Sequence, residues 1–477
     1  MSGRQCCRKK RSDPSRCSSR QPRRPAPPPS PANLPGYSYD PVKKRYFKVE
    51  TCPPVTPPSP KTPATQPREL EKPEYIKCPG SLPSLLRSRR LGTMSSPLFE
   101  KRVLQASAFS LKKQVVTAPC HRGTVTHLQI NESQDTLLTS AKSGHGAALW
   151  KYSISKCKKF YIHLKRDDNV HYSPVSEITD MNFLPQVVRP GSVALISLLG
   201  GAGQQGRVSL LDLDQGTFLS TYYVPQSNVW SCCWNKQDHH SLCIGATREG
   251  YVQDIVSNTR HVLNTGKSDV LSIRSVECCP LVYTGSRNKL LICHDLRAKD
   301  PAFQLEHQSS VGDIKLMRSE NTLICSAFNG QVVQWDVRTQ RHVVAYRGHV
   351  NDYAPVRMKL DESESLLFIP GKDLQTRIWA VDSGDLLNIL PPPAVDSIIS
   401  NNNIPACEVG LSWAGYYPGF AVAATGLLHW YSLWILIHWH REYLANFLFK
   451  HLYLLPVEKY FNWFGTFRWV FFNVLNF

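Results

Sequence analysis

The sequence lacks the short motifs that most often mark a catalytic site. It contains no G-x-x-x-x-G-K-[ST] phosphate loop, no H-E-x-x-H zinc motif and no G-x-S-x-G nucleophile turn. The glycine-rich stretch at residues 200–206, GGAGQQG, is not followed by a helical pattern, so we interpret it as a loop between strands. These absences predict a protein that binds rather than catalyses and that needs no cofactor.

Cysteine spacing of the metal-binding kind is also missing. The 15 cysteines never occur as C-x-x-C, and their only clustering is three adjacent pairs, Cys6-Cys7, Cys232-Cys233 and Cys278-Cys279. This spacing predicts neither a zinc site nor a redox site. Most of the thiols lie in apolar runs, where a free thiol acts as a small core side chain, which favours a reducing compartment. The first residues have no apolar stretch of the secretory kind, and we expect the protein in the nucleus and cytoplasm.

Acidic residues are scarce at the start of the chain. The net charge of +19 is concentrated in residues 1–112, which carry 23 Lys or Arg and 7 Asp or Glu, a balance of +16. The same segment holds 20 of the 35 prolines, in runs such as RPAPPPSP and PPVTPPSPKTP. A segment of this composition buries too little apolar surface to offset its chain entropy. We therefore predict a disordered basic arm over residues 1–80.

What the sequence does contain is a repeat. Six apolar segments with aligned ends recur at Trp150, Leu211, Ile255, His294, Trp335 and Trp379. Their spacings are 61, 44, 39, 41 and 44 residues by subtraction. Each unit shows short apolar strands, tight turns and almost no helical periodicity, which is typical of propeller blades. The pattern predicts an all-β propeller of six or seven four-stranded units.

The repeated segment, from about Thr124 to Gly384, resembles the WD-repeat family. One unit carries RGHV at residues 347–350, an aspartate before its last strand and a tryptophan at its end. In that family a buried histidine, a turn aspartate and a tryptophan form a hydrogen-bonded brace. The resemblance assigns this brace to His349, Asp373 and Trp379. Other units match less well, since their turn positions are Asn329, Arg287-Asn288 and Arg248-Glu249, but the repeat period is unaffected.

A seventh blade has to be assembled from both ends of the repeat region. The strand-like segments KKQVVTAP at residues 112–119 and NIPACEVGLSW at residues 403–413 are the candidates. Propellers need such a closure, because otherwise an unpaired edge stays open. We predict a seven-bladed ring over residues 115–410, in which the last blade has the weakest support from the sequence pattern.

Two consecutive repeats end in related tetrapeptides, HDLR at residues 294–297 and WDVR at residues 335–338. The first residue of each is expected to pack inward, while the arginine projects from one rim of the disc. An arginine there offers a planar fork of donors suited to a partner's carboxylates or backbone oxygens. The alternative is that both tetrapeptides only stabilise the ends of strands.

The segment LICSAFNGQVVQWDVR, residues 323–338, is similar to the sixteen-residue box of WD-repeat substrate receptors of the cullin-4 RING ubiquitin ligases. VYTGSRNKLLICHDLR is a near match with His for Trp. The resemblance implies a non-catalytic substrate-recognition subunit that docks on the ligase adaptor, the large subunit of the damage-specific DNA-binding protein, and through it on cullin-4. The substrate is not identified. The adaptor-binding residues that it implies are His294, Asp295, Arg297, Trp335, Asp336 and Arg338.

Residues 81–114 favour helices. A serine-proline start at residues 95–97 and apolar residues at Leu98, Val103, Leu104, Phe109 and Leu111 predict a helix just before the propeller, preceded by a break at Gly92 and a shorter helix. Such a pair resembles the helix-loop-helix that cullin-4 receptors insert into their adaptor. Alternatively, the segment only covers the rim of the propeller.

Two features of the basic arm stand out. The stretch LPGYSYDPVKKRYFKV at residues 34–49 combines four aromatics with a basic triplet, and it resembles the N-terminal signature of the receptor group of cullin-4-associated factor four. We expect a linear motif that folds against a partner; a hairpin docked on the propeller is the alternative. The basic runs at residues 4–16 and 20–24 are interpreted first as a nuclear import signal and second as a nucleic-acid contact.

The last 67 residues, 411–477, differ in composition from the rest. They hold 6 of the 11 tryptophans, and residues 420–439 have no formal charge over a length that could span a bilayer. We interpret residues 411–477 as an atypical aromatic tail, arising from a variant carboxyl terminus, in preference to a membrane anchor. Besides the ligase receptor, a nuclear scaffold or nucleic-acid-associated propeller is the second functional hypothesis, and a membrane-tethered scaffold is the third.

Overall fold

A computed structural model describes most of the repeat region and two short segments before it. The described residues are 37–40, 45–48, 82–119, 124–143, 146–156, 162–184, 193–201, 203–238, 240–391, 404–413, 417–424 and 427–433. The chain divides into two compact units, Met1–Lys72 and Pro73–Phe477. Apart from residues 37–40 and 45–48, the predicted disordered arm over residues 1–80 lies outside the described residues, as does most of the predicted tail.

The first unit contains one pair of strands, β1 (Tyr37–Asp40) and β2 (Arg45–Lys48). They pair antiparallel, with Tyr37 opposite Lys48 and Asp40 opposite Arg45. The aromatic stretch thus contains hairpin strands. Its role as a linear motif for a partner stays a prediction.

The second unit begins with two helices, α1 (Leu82–Arg90) and α2 (Ser96–Ser110). Gly92 separates them with a φ of +69°, a left-handed conformation that glycine adopts without steric cost. Pro97 lies in the first turn of α2, where its missing N–H would have no helical partner in any case. The two helices and the break at Gly92 agree with the sequence pattern. The helical segment ends at Ser110 rather than at 114, because strand β3 (Leu111–Pro119) follows at once.

Seven four-stranded antiparallel sheets follow, and they are the blades of a propeller. Blades 1 to 3 consist of β4 (Thr124–Ile130), β5 (Thr136–Ser143), β6 (Gly146–Lys156), β7 (Ile162–Tyr172), β8 (Ile178–Phe183), β9 (Val193–Leu198), β10 (Gly206–Asp212), β11 (Phe218–Val224), β12 (Val229–Trp234), β13 (Ser241–Ala246), β14 (Gly250–Asp254) and β15 (Arg260–Leu263). Blades 4 to 6 consist of β16 (Val270–Ser275), β17 (Leu281–Ser286), β18 (Leu290–Asp295), β19 (Pro301–Glu306), β20 (Val311–Leu316), β21 (Thr322–Ala327), β22 (Val332–Asp336), β23 (Arg341–Tyr346), β24 (Lys359–Leu360), β25 (Leu366–Pro370), β26 (Thr376–Ala380) and β27 (Leu386–Leu390). The all-β propeller prediction is confirmed, with seven blades.

Blade 7 closes the ring with strands from both sides of the repeat region. Its strands are β28 (Ala406–Trp413), β29 (Tyr417–Ala424), β30 (Leu427–Leu433) and the early strand β3, in that order. In the β3–β30 pair, Leu111 lies opposite Leu433 and Pro119 opposite Leu427. The two segments expected to supply the closing blade both take part. The structure also extends the propeller past the predicted boundary at residue 410, because β29 and β30 lie in the segment assigned to a separate tail.

The apolar run at residues 420–439 therefore begins inside a blade. Phe420 is buried and stacks on Phe368 of blade 6, with ring centroids 4.8 Å apart. Trp430 and Tyr431 of β30 are buried as well. Within the described ranges, no helix is both long and apolar enough to cross a membrane.

The core lies between adjacent blades. Second strands are buried on both faces, as in β9 and β13, whereas outermost strands such as β11 and β23 are largely exposed. Between blades 2 and 3, for example, Val208 and Leu210 pack with Val229 and Ile244 in one cluster. Each blade covers an apolar face of its neighbour, so a single blade would leave both faces in water.

Candidate functional site

The two tetrapeptides HDLR and WDVR end the third strands of blades 4 and 5. In an antiparallel meander, the turns after the first and third strands lie at one end of the sheet, which we call the lower rim. Arg297 follows β18 and Arg338 follows β22, so both lie on this rim. Adjacent blades are joined there, since the backbone N–H of Glu277 donates to the Glu320 carboxylate over 2.7 Å.

Asp295 holds Arg297 in a fixed orientation. The Arg297 Nε and Nη2 atoms donate to the two carboxylate oxygens over 2.9 and 2.7 Å, and the Arg297 backbone N–H donates to Oδ1 over 3.0 Å. The arginine side chain is 73% exposed and the aspartate 21%. The hydrogen bond from Arg297 holds the pKa of Asp295 at about 2, so the carboxylate is charged at neutral pH. The result is an exposed guanidinium on a rigid turn.

Asp336 and Arg338 repeat this arrangement on the next blade. The Arg338 backbone N–H donates to Asp336 Oδ1 over 2.9 Å, and Nη2 donates to Oδ2 over 3.2 Å. The exposed fractions of the side chains are 68% and 15%. Two neighbouring blades thus present the same aspartate-held arginine. Each aspartate caps its turn and orients its arginine, which agrees with a role at the strand ends, and contact of the arginines with a partner stays a prediction.

The first residue of each tetrapeptide serves the interior instead. His294 is only 4% exposed and shares a 2.9 Å hydrogen bond with Thr284. Burial lowers the pKa of His294 to about 4. Trp335 is half-buried and donates its indole N–H to His307 Nε2 over 2.8 Å. The assignment of His294 to a partner surface is therefore corrected, because its ring is enclosed and bonded within the blade.

The predicted brace of His349, Asp373 and Trp379 needs a correction in its bonding. All three lie in or beside blade 6, and the His349 and Trp379 rings are 6.3 Å apart. Trp379, however, donates to the Arg347 carbonyl over 3.1 Å, and Asp373 forms a two-pronged ion pair with Arg377 over 3.0 and 2.7 Å. The Asp373 carboxylate pairs with Arg377 and not with the histidine, because a buried cation is stable only with an anion close to it.

A Trp–His hydrogen bond of the expected kind exists one blade earlier, between Trp335 and His307. His307 is 4% exposed, and burial lowers its pKa to about 4, so the ring is neutral and can accept the indole proton. The sequence carried a signal for it, because His307 precedes Trp335 by 28 residues, close to the spacing of His349 before Trp379. The match to the RGHV pattern was missed because His307 is preceded by Glu306, whereas His349 is preceded by Gly348.

The helix pair reaches the same rim. Lys101 of α2 forms a 2.6 Å ion pair with Asp385, which lies in the turn after the third strand of blade 6. About two turns further along α2, the Asn388 side-chain amide of β27 donates to the Ala108 carbonyl over 2.8 Å. Ala108 is fully buried in a cluster with Phe368 and Leu387. The helix is thereby fixed against blades 6 and 7, and β3 follows it into blade 7.

The outer side of the helix pair is apolar and basic. Leu85 and Phe99 form a small core between the two helices. Leu86, Leu91 and Leu98 remain 40%, 69% and 44% exposed. The last turn of α1 adds three arginines at positions 87, 89 and 90. Exposed leucines beside a rim of fixed arginines are the composition of a protein-binding surface.

A metal centre is not indicated. In the portion of the chain that the structure describes, no three His, Cys, Asp or Glu side chains are grouped closely enough to hold a metal ion.

Comparisons with known proteins agree with this description. Residues 187–433 match the family model of the DDB1- and CUL4-associated factor 4 beta-propeller domain. A Bos taurus protein named DDB1- and CUL4-associated factor 4 is 26% identical over 442 residues, which cover 84% of this chain and 87% of the relative. Its Homo sapiens namesake is 25% identical over 84% of this chain and 86% of its own length. The Homo sapiens DDB1- and CUL4-associated factor 4-like protein 2 is 29% identical over 45% of this chain and 55% of its own.

The matched segment starts within blade 2 and ends with the last strand of blade 7, and it covers just over half of the 477 residues. The match includes both arginine turns and the two strands that the sequence pattern had left in the tail. The chain belongs to the DDB1- and CUL4-associated factor 4 beta-propeller family.

Proposed function

We propose that this protein is a non-catalytic substrate receptor that docks on DDB1 and, through it, on CUL4. The names of the relatives connect those proteins with DDB1 and CUL4. In this role the propeller holds a target protein near the ligase and contributes position rather than chemistry.

The observation that carries the proposal is the location of Arg297, Arg338 and the helix pair at one rim. A guanidinium has five N–H donors, and Arg297 and Arg338 each use two of them in hydrogen bonds to the neighbouring aspartate. Three donors per arginine remain for a partner's carboxylate or carbonyl oxygens. Because the fork is already held, little side-chain entropy is lost on binding.

The helix pair supplies the apolar part of the docking surface. Leu91 at the break and Leu98 on α2 project from an element that is itself fixed by the Lys101–Asp385 pair. An interface of this kind combines an apolar centre with a charged surround. Blades 4 to 7 then contribute one continuous arc to the adaptor, and the opposite rim stays free for a substrate.

The test is capture of purified DDB1 by the full chain and by the double variant Arg297→Ala/Arg338→Ala. We expect at least a tenfold loss of affinity, since an interface arginine typically contributes ~1 kcal/mol or more and ~1.4 kcal/mol is tenfold. Leu91→Ser should weaken capture independently.

Arg287→Ala is the matched control. Arg287 is also held by an aspartate, Asp269, over 2.8 Å and is 50% exposed, but it lies in the turn after a second strand, at the other rim. It should leave capture unchanged. Equal capture by the folded double variant and the wild type would refute docking through the arginines, and no capture by the folded wild type would refute the function.

The expectation of nuclear entry is a separate proposal. Residues 4–24 carry the basic runs. A reporter fused to residues 1–80 should accumulate in the nucleus, and replacing the arginines and lysines of these runs with glutamine should abolish that accumulation.

A further inference from the structure

The innermost strands of the propeller place two rings of side chains around the central axis. In blades 4, 5 and 6 the innermost strand carries a cation at the same level, opposite the third residue of the second strand. The pairs are Arg274 with Tyr283, Lys315 with Ile324 and Lys359 with Phe368. Blades 1 and 2 place amides at the same level, Gln129 opposite Leu138 and Asn182 opposite Leu195. Three consecutive blades thus direct positive charge to one level of the axis.

The next ring carries the carboxylates. Asp180 and Asp313 lie opposite the fifth residue of their second strands, Ser197 and Ser326, and Glu408 lies opposite Ala421, which is the fifth residue of β29. Because strand neighbours two apart point to the same side, these acids lie directly beside the ring of cations.

The three cations, the two amides and Asp180 line one cavity of about 90 Å³. Asp313 and Glu408 are ion-paired with cations of this lining. The lining includes His127, Gln129, Arg274, Lys315, Arg357 and Lys359. A cavity of this size has room for several water molecules or for one small ion. Gln129 Oε1 is buried in it without a hydrogen-bond partner.

Three of the four cations have carboxylate partners. Arg274 contacts Asp313 and Asp180 over 3.2 and 3.5 Å, and Arg357 contacts the same two acids over 3.3 and 3.5 Å. Lys359 pairs with Glu408 over 2.5 Å.

Lys315 is the exception. Among the residues with described positions, no carboxylate forms an ion pair with it, although it lies between Arg274 and Lys359 in the ring. Burial lowers the pKa of Lys315 to about 8, with Asp313 acting in the opposite direction. At neutral pH the ammonium group is therefore largely charged.

The charges of the cavity do not balance. Counted over the residues whose positions are described, the lining cations Arg274, Lys315, Arg357 and Lys359 carry four positive charges. Asp180 of the lining and the ion-paired Asp313 and Glu408 carry three negative charges, which leaves +1. The pKa of His127 is lowered to about 4, mainly by burial and then by Arg357, so this ring adds no charge at neutral pH. An unpaired charge away from water is costly unless an opposite charge joins it.

We propose that the axial cavity binds a small free oxyanion of the phosphate or sulfate class, with Lys315 as its principal contact. Arg274 and Lys359 lie on either side at the same level and add attraction. A side-chain amide, as at Gln129, can donate an N–H to such an oxygen after a half-turn about its last bond. The anion would offset the excess positive charge of the ring, and its binding would link the innermost strands of at least blades 4, 5 and 6.

The test is thermal unfolding of the full chain, followed by tryptophan fluorescence, in sulfate against sodium chloride of equal ionic strength. At about ten times the dissociation constant, we expect sulfate to raise the Tm by about 2–3 °C. Lys315→Gln should lose this increment. Lys299→Gln, which changes an exposed lysine in the turn before β19, should retain it. Inorganic phosphate should act like sulfate.

A second measurement covers the case in which Lys315→Gln does not fold. Sulfate keeps its charge from about pH 7 to about pH 9, whereas Lys315 loses its proton over this range. Sulfate affinity of the wild type, measured by calorimetry, should therefore fall as pH rises and should stay flat in Lys315→Arg.

Absence of a sulfate increment in the wild type would overturn the proposal, as would a full increment in Lys315→Gln or a flat pH profile in the wild type. The inference does not depend on docking, because the rim arginines lie outside the cavity. A folded Lys315→Gln protein should still capture DDB1, so the two proposals fail separately.

Discussion

Asp313 is the side chain on which the axial network depends most. Its carboxylate is fully buried and accepts hydrogen bonds from Arg274, Arg357 and the backbone N–H of Met358, over 3.2, 3.3 and 2.9 Å. Burial by itself would raise the pKa of Asp313, but Lys315, Arg274 and Arg357 outweigh it, so the pKa lies below its usual value. The substitution Asp313→Asn keeps the shape of the side chain and removes only the charge.

The magnitude follows from what remains after the change. Removing one partner of a buried ion pair costs about 3–5 kcal/mol, because the other charge is left unpaired. Both arginines still have Asp180 at 3.5 Å, and the new amide oxygen can still accept the Met358 N–H, which places the loss at the low end of that range. We expect Asp313→Asn to lower the free energy of unfolding by about 3 kcal/mol.

Urea denaturation followed by both tryptophan fluorescence and circular dichroism measures this loss, and coincident curves establish a single transition. Asp168→Asn is the matched control, since its pair with Arg166 over 2.8 Å is exposed and should contribute at most ~1 kcal/mol. A lowered pKa stabilises the fold above the unfolded-state pKa, and that contribution is lost as pH falls through the folded-state pKa. The gap between wild type and variant should thus persist at neutral pH and close in acid. A loss for Asp313→Asn no larger than the control would refute the reasoning.

Three further predictions concern the blades. Trp335→Phe removes the donor to buried His307, so the free energy of unfolding should fall by about 2 kcal/mol in urea titrations, and a fall below ~0.5 kcal/mol would contradict the role of this bond. His294 and His307 both have pKa values of about 4, well below the unfolded value, so the unfolded state binds more protons between about pH 4 and 6.5. The free energy of unfolding should therefore fall as the pH is lowered through that window, by up to about 3 kcal/mol per histidine, and His307→Gln should make this pH dependence shallower. Gly245→Ala would place a methyl group 2.8 Å from the Val270 carbonyl and should lower the Tm by several degrees, whereas Gly250→Ala, whose nearest neighbour is at 3.4 Å, should change it little; equal effects would contradict the close packing of blades 3 and 4.

Spacing alone was enough to predict the propeller and the arginine turns. The last five of the six repeat ends recur at intervals of 39 to 44 residues, and Arg297 and Arg338 follow an aspartate at two of them. A turn in which the aspartate caps the backbone and the arginine folds back is local, so it depends on few residues. The break at Gly92 was equally local, since a left-handed residue between two helices favours glycine.

Features that depend on distant residues were not predictable. The ring of Arg274, Lys315 and Lys359 requires the register of three separate blades, and each residue taken singly is an ordinary charged strand residue. The partner of Asp373 was missed for a related reason, because sequence does not show that Arg377 turns back toward it. His349 and Arg377 were both possible partners of Asp373, and only the structure shows that the ion pair with Arg377 forms.

The aromatic segment after residue 411 shows where composition misleads. A short apolar run fits a buried strand as well as part of a longer span, and periodicity does not separate the two. Phe420 and Trp430 are buried because blade 7 is covered on both sides by its neighbours, as β29 and β30 pair within it. Most of the run, up to Leu433, belongs to two consecutive strands of one blade.

The closure of blade 7 by β3 sets an order of events during synthesis. Leu111 leaves the ribosome roughly 320 residues before its partner Leu433, which corresponds to ~15–60 s of translation at ~5–20 residues per second. Throughout that interval β3 has no strand of blade 7 to pair with, and α2 has no cover until blade 6, which ends at Leu390, has been made. The helix pair proposed to dock on the ligase is thus followed directly by the strand whose pairing partner is made last. A nascent chain stalled before β30 would leave β3 unpaired and open to chaperones.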